Sequence, residues 1–322
     1  MPSLSFSDFK IVCSIGSGSF SSAYLAIYKN NGRQVALKRL FWNNSPQRII
    51  KEVKWLQCLS HPNITKLLGV FREREQVTLV FEYFEHIPFR KLFFSFTNEI
   101  IKDYFRNLFN SLVYVHSHKI IHRDVKPANF LYDPSAKKGC LIDFGLCEDD
   151  LHISGSKTAQ KEPQNSYDLD LKYPERFQNR PRMIASRAGT RGFRAPEVLL
   201  SDWNQSCAID MWSCGIILLS ILSHRHPFFT APDDLTALCE IARVFGTKKI
   251  IETGKCCGRS VSFPEECEPY DLRELCYRLN PSISELNLDD SVFDLLNRLL
   301  EPIPNIRITA KEALTHPYLR TL

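Results

Sequence analysis

No run of apolar residues in this chain of 322 approaches the ~20 needed to cross a bilayer. The longest, Gly215 to Leu222, is interrupted by Ser220 and reads as a buried core helix. The first ten residues alternate polar and apolar and lack the basic-then-apolar pattern of a secretory signal, so export is not expected. Long Lys/Arg blocks are missing too. The net charge of +5 is mild for this length, and no basic stripe with interleaved aromatics points to direct nucleic-acid binding or to a membrane surface. Paired cysteine spacing is also lacking: the 11 cysteines are odd in number and scattered through apolar segments such as Leu56-Gln57-Cys58-Leu59, as in a reduced intracellular protein. Only Cys256, Cys257, Cys267 and Cys276 cluster, without C-x-x-C pairs, so ordinary thiols outweigh a metal site there. What is present, 44% hydrophobic and 24% charged residues, is the composition of a soluble globular protein with room for two core-bearing lobes.

From Phe9 to Tyr83 the chain is strand-like, with runs Phe9 to Cys13, Ala23 to Tyr28 and Gln34 to Lys38 separated by Gly, Ser and Asn turns. An antiparallel meander is expected. Its first turn, Ile15-Gly16-Ser17-Gly18-Ser19-Phe20-Ser21-Ser22-Ala23, carries few side chains, so its backbone amides can close over phosphates. A dinucleotide-binding glycine turn should open a helix, whereas this one lies between two strands. Lys38 ends an apolar strand, where a solvated lysine is the bland reading. Fourteen residues on, Ile49, Val53 and Leu56 share one face of a predicted helix, with Glu52 beside them and able to reach back to Lys38. Two more strands are expected, around Lys66 to Arg72 and Val77 to Phe81. Further on, the apolar spacing from Ile100 to His118 predicts a long helix with one buried face.

The densest chemistry lies in His122-Arg123-Asp124-Val125-Lys126-Pro127-Ala128-Asn129, followed by Asp143-Phe144-Gly145. Each residue alone has a bland reading as turn or solvated loop, but so many specified positions in order do not arise readily by chance. The spacing resembles the catalytic and metal loops of protein kinases. The resemblance implies a bilobal α+β fold. A small lobe over about 9–84, with a five-stranded antiparallel sheet and one main helix, would precede a mainly helical lobe over 85–322, together one domain. It also implies ATP and Mg2+ as cofactors. Asp124 would orient the substrate hydroxyl, Lys126 would neutralise the transferring phosphoryl group, and Asn129 and Asp143 would hold magnesium. Ile15, Gly16, Gly18 and Ala23 would cover the nucleotide, and Lys38, held by Glu52, would meet its phosphates. Glu82 to Phe84 would form the hinge that reads adenine through backbone groups. Ser21 and Ala23 depart from the family, where Gly and Val are usual, and the smaller Ala23 should cover less of the adenine.

Lys126 resembles the lysine of serine/threonine kinases. Ala195-Pro196-Glu197 resembles the end of the activation segment, which is long enough here to contain an insert over about 150–183. That polar stretch has no sustained period and reads either as a mobile loop or as a docking insert. Together with Asn129 to Tyr132, Ala208 to Ser213 and Pro232 to Leu238, the run Ser186 to Leu200 is similar to the cell-division-cycle-seven kinases, which start DNA replication. That resemblance implies an activating subunit, a nuclear location and protein substrates with acidic residues beside the acceptor. Thr190 would bond near Asp124 and Lys126, while Arg187 and Arg194 would read the acidic neighbour, a solvated basic surface being the competing reading. Glu197 and Arg307 would tie the segment down, and Asp210 would hold the catalytic loop. Another cell-cycle or casein-kinase-like enzyme, or a kinase-fold scaffold without transfer, are the alternatives. The scaffold reading would gain from loss of any of Lys38, Glu52, Asp124, Lys126, Asn129 or Asp143, and none is lost.

Overall fold

In the computed structural model, which describes residues 4–18, 20–42, 45–150 and 188–320, the β-rich start of the chain forms an antiparallel sheet. Strands β1 (Phe9–Ser17), β2 (Ser21–Tyr28), β3 (Gln34–Leu40), β4 (Leu67–Glu73) and β5 (Gln76–Glu82) lie in the order β1-β2-β3-β5-β4. Between β3 and β4, helix α1 (Pro46–Cys58) starts on Ser45, whose side chain accepts the Arg48 amide, with Pro46 at the first helical position. Lys38 was expected at a strand end, but β3 continues to Leu40 because Arg39 and Leu40 still pair with Ser22 and Ser21.

After the short α2 (Phe89–Leu92), helix α3 (Asn98–Ser117) is capped by Thr97 and buries Ile101, Tyr104, Phe105, Leu108, Phe109, Leu112 and Val115. The chain then makes β6 (Ile120–Ile121), a hairpin of β7 (Phe130–Asp133) and β8 (Lys138–Leu141), and β9 (Glu148–Asp149), which returns to pair with β6. Beyond the residues left undescribed come α4 (Pro196–Leu199) and α5 (Ala208–Ser223). From Ile209 to Ser223 every residue of α5 is buried, so no face of this helix meets solvent. Its serines fit the core because Ser213, Ser220 and Ser223 each donate to the carbonyl four residues back. The helix begins earlier than its apolar run, which puts Asp210 inside the first turn.

Of the helices that follow, α6 (Asp234–Phe245) and α7 (Thr247–Cys256) pack on α4, α8 (Leu272–Leu279) and α9 (Ser291–Leu299) on α5, and α10 (Ala310–Leu314) on α3. The last is opened by a reciprocal cap between Thr309 and Glu312. One apolar cluster runs through these helices and reaches Leu40, Leu56 and Leu79, so α1 and the sheet share a core with the helical part. A second core, Phe9, Ala26, Val35, Leu37, Phe71 and Val80, lies under Leu4 and Phe6. The cleft where the site forms lies between the sheet and the helical part.

Candidate active site

Antiparallel pairing sets Ala23 of β2 opposite Lys38 of β3. Lys38 Nζ lies 2.7 Å from Glu52 Oε1 and 2.8 Å from Asp143 Oδ1, so one ammonium joins the sheet, α1 and the loop after β8. Burial pushes the Lys38 ammonium down, but the two carboxylates outweigh it and hold it above its usual value. For Asp143, burial pushes the carboxyl up, and Lys38 beside it wins, keeping it below the usual carboxylate range. Asp143 sits at φ 65, a left-handed conformation costly for a residue with a Cβ. Gly145 follows for a reason: a Cβ there would stand 3.2 Å from Glu52 Oε2 and 3.4 Å from Asp143 Oδ1, crowding the ion cluster.

The catalytic loop hangs from Asp210. Its Oδ2 accepts the His122 amide at 2.8 Å and faces His116 Nε2 at 2.9 Å, and its Oδ1 accepts the Arg123 amide at 2.8 Å. Burial pushes this carboxyl up, yet His116 and, behind it, His122 with its amide more than compensate, so it stays below the ordinary range. The Phe144 ring meets His122 edge-on with centroids 5.1 Å apart, packing the metal loop against the catalytic loop.

Asp124, 7% exposed, is then surrounded by donors. Thr190 gives its amide at 2.9 Å and its hydroxyl at 2.7 Å to Oδ1. Lys126 Nζ at 2.8 Å and Asn129 Nδ2 at 2.9 Å share Oδ2. Lys126 Nζ also donates to Thr190 Oγ1 at 2.7 Å. The turn that delivers Thr190 requires glycine: Gly189 has φ +95, and a Cβ would lie 2.5 Å from Arg123 O. Asn129 uses its Nδ2 on Asp124, and no donor is recorded on its Oδ1 among the described residues, which leaves a hard oxygen beside the Asp143 carboxylate's loop.

Of the nucleotide-loop candidates, Ile15 and Gly16 lie in β1, Gly18 donates its amide to Ser21 O at 2.9 Å to close the turn, and Ala23 faces the Gly16 position at 3.8 Å. Two more residues of α1, Arg48 and Lys51, join the site without a sequence motif to mark them. The Arg48 guanidinium stacks 4.6 Å from the Phe20 ring centroid and donates Nε to Gly145 O at 2.7 Å. Lys51 reaches Glu148, which also holds Arg123. Arg48, Lys51 and Glu52 share a helix face by their three- and four-residue spacing. That signal was legible; their partners, far off in the chain, were not.

Arg194 donates Nη1 to Asp234 Oδ1 at 2.8 Å and Nε to Gly189 O at 3.0 Å, so it lines the Thr190 turn with its charge already shared. Arg191 also turns toward Asp234 and Pro232 O. Arg187 and the insert apart from Asp150 lie outside the described residues. Glu197 and Arg307 form a bidentate pair at 2.7 and 3.0 Å. No cluster of three or more His, Cys, Asp or Glu side chains suited to a metal occurs among the described residues, Cys256 to Cys276 included. Burial pushes the Cys276 thiol up to about 12.

Such a site, with a lysine clamped between a helix glutamate and a loop aspartate opposite a second aspartate with its own lysine and asparagine, is phosphoryl-transfer machinery. The model of the protein kinase domain matches residues 9–319, and the chain belongs to the protein kinase family. It falls within the cell division control protein 7 group. It is 40% identical to the probable cell division control protein 7 homolog 1 of Encephalitozoon cuniculi, over 96% of this chain and 91% of that one. It is 32% identical to the cell cycle serine/threonine-protein kinase hsk1 of Schizosaccharomyces pombe, over 97% and 72%. Identity to the human cell division cycle 7-related protein kinase is 27%, over 98% and 90%. Among the described residues no helix is long and apolar enough to cross a membrane.

Proposed function

We propose that this protein is a serine/threonine kinase that transfers the γ-phosphate of ATP, with magnesium, to proteins carrying acidic residues beside the acceptor. The observation that carries the reading is the convergence on one cleft of Lys38, Glu52 and Asp143 with Asp124, Lys126, Asn129 and Thr190. The residues fit the two cofactors. Asp143 and the Asn129 amide offer oxygen ligands of the hard kind magnesium takes, and Lys38 offers an ammonium that Glu52 alone can hold in place. Gly18 has nothing within 4 Å of where a Cβ would stand, so the turn can lie close over phosphates. Magnesium, when bound, neutralises charge on the phosphates.

Asp124 has about four acceptor positions, and Thr190, Lys126 and Asn129 fill them. A substrate hydroxyl therefore needs one of them released. Lys126 is the donor with somewhere to go: its ammonium has a better partner in the transferring phosphoryl group. Thr190 and Asn129 keep the carboxylate oriented while Asp124 accepts the hydroxyl hydrogen. Arg194 beside this turn, with Arg187 nearby in sequence, would meet an acidic residue next to the acceptor. The organisation follows: one kinase domain, its small lobe over 9–84 and its large lobe over 85–322. The names of the relatives support a role in cell division; initiation of DNA replication, in the nucleus and under an activating subunit, is the finer role proposed with it.

The test is transfer from γ-labelled ATP to a peptide with Ser followed by Asp or Glu, against one with Ser followed by Ala, by the chain alone and with its activating subunit. Transfer favouring the acidic peptide and lost in Asp124→Ala supports the reading. No transfer in either case, with Asp124→Ala indistinguishable, contradicts it.

A further inference from the structure

The carboxylate of Glu148 is shared by two cations that belong to different parts of the machinery. Oε1 lies 2.6 Å from Lys51 Nζ on α1, and Oε2 lies 2.7 Å from Arg123 Nη1 in the catalytic loop. Lys51 immediately precedes Glu52, the partner of Lys38, and Arg123 immediately precedes Asp124. Glu148 is itself held by strand pairing, since Ile121 of β6 stands opposite it. One side chain therefore links the group that fixes the lysine to the group that meets the hydroxyl.

We propose that Glu148 is a positioning residue for transfer, a built-in anion that locks α1 to the catalytic loop without a phosphate added elsewhere in the chain. The inference rests on the kinase reading. The two halves differ in burial. The Lys51 half is exposed, with 39% and 48% of the two side chains accessible, and such a bridge alone holds little. The Arg123 half is different: that side chain is only 6% exposed, so the carboxylate meets a largely desolvated guanidinium beside Asp124. Arg123 is also held at φ 69, its amide bonded to Asp210 and its carbonyl packed against Gly189, so a shift of its side chain bears on a constrained backbone. In many kinases an arginine–phosphate pair orders the activation segment. Here an arginine of the catalytic loop already holds a carboxylate supplied by β9.

The experiment measures kcat, KM for ATP, KM for peptide and Tm in the full chain with its activating subunit. It uses Glu148→Ala, Lys51→Ala, the double variant and Glu148→Asp. Glu148→Ala should lower kcat about tenfold or raise KM for ATP about tenfold, with KM for peptide unchanged. The double variant should be no worse than Glu148→Ala, and Glu148→Asp should restore most of the loss. Prior phosphatase treatment of the unaltered protein should leave kcat as it was. Unchanged kcat and KM for ATP in Glu148→Ala, independent multiplying effects of the two single variants, or loss of kcat on phosphatase treatment would each overturn the proposal. Hydrogen exchange across α1 gives a readout that needs no transfer. Faster exchange from Arg48 to Leu56 in Glu148→Ala supports the lock, and unchanged protection refutes it, even if the kinase reading itself fails for lack of transfer.

Discussion

Two clusters of paired charges in this protein are built on opposite plans. In one, Arg307 spends every donor. Nη1 goes to Glu197 Oε1 and Ala208 O, Nη2 to Glu197 Oε2 and Pro302 O, and Nε to Glu301 O. Its side chain is 0% exposed, its guanidinium lies over the Trp212 ring, and nothing further can bind there. In the other, Lys38 is held by two carboxylates, of which Asp143 is 42% exposed, and the group keeps capacity to spare. A saturated, desolvated pair serves stability. An unsaturated cluster at a cleft is poised for a ligand.

The largest effects should come from the open side. Asp124→Ala should lower kcat by about 10²–10⁴ while Tm moves little, as checked by transfer kinetics beside a melting curve. On the closed side the pattern should reverse. Arg307→Ala leaves Glu197 buried without a partner and should cost about 3–5 kcal/mol of stability by denaturant titration, with transfer per folded molecule near normal. A sharper version replaces both members, Glu197→Leu with Arg307→Met. That double variant should recover much of the loss, because the cost lies in the orphaned charge more than in the missing attraction.

Acid should separate the regions from their support. The folded pKa of Asp210 is depressed, so its contribution to stability is fully present above the unfolded value of 3.8 and is lost as pH falls through the folded value. Melting curves should therefore show no loss from this group between pH 7 and 5 and a steep loss below about 4, blunted in Asp210→Asn. The smallest effect lies outside both clusters. Thr309→Ala removes the hydroxyl that accepts the Glu312 amide and should cost about 1 kcal/mol without touching transfer.

Much of the fold was legible because it is local. The alternation that makes β1 to β3, the apolar spacing of α3 and the Thr309 cap each lie within a few residues of sequence. The site's core was legible in its residue types, since Lys38, Glu52, Asp124, Asn129 and Asp143 announce themselves by spacing. Distance in the chain hid the rest. Glu148 reaches its partners only because β9 folds back on β6, and Arg48 meets Phe20 and Gly145 only across the fold. Asp234 shows the same limit. Arg194 was expected to await an acidic substrate, and a carboxylate of its own chain, forty residues on, shares its charge.

The most direct test of the open cluster is transfer from γ-labelled ATP to the Ser-Asp peptide by the unaltered chain, together with any subunit found to activate it, and by Asp143→Asn, each with its Tm. Transfer by the first, its loss in the second and closely similar Tm values are the predicted result. Equal transfer by both proteins would contradict the assignment of this cluster to phosphoryl transfer.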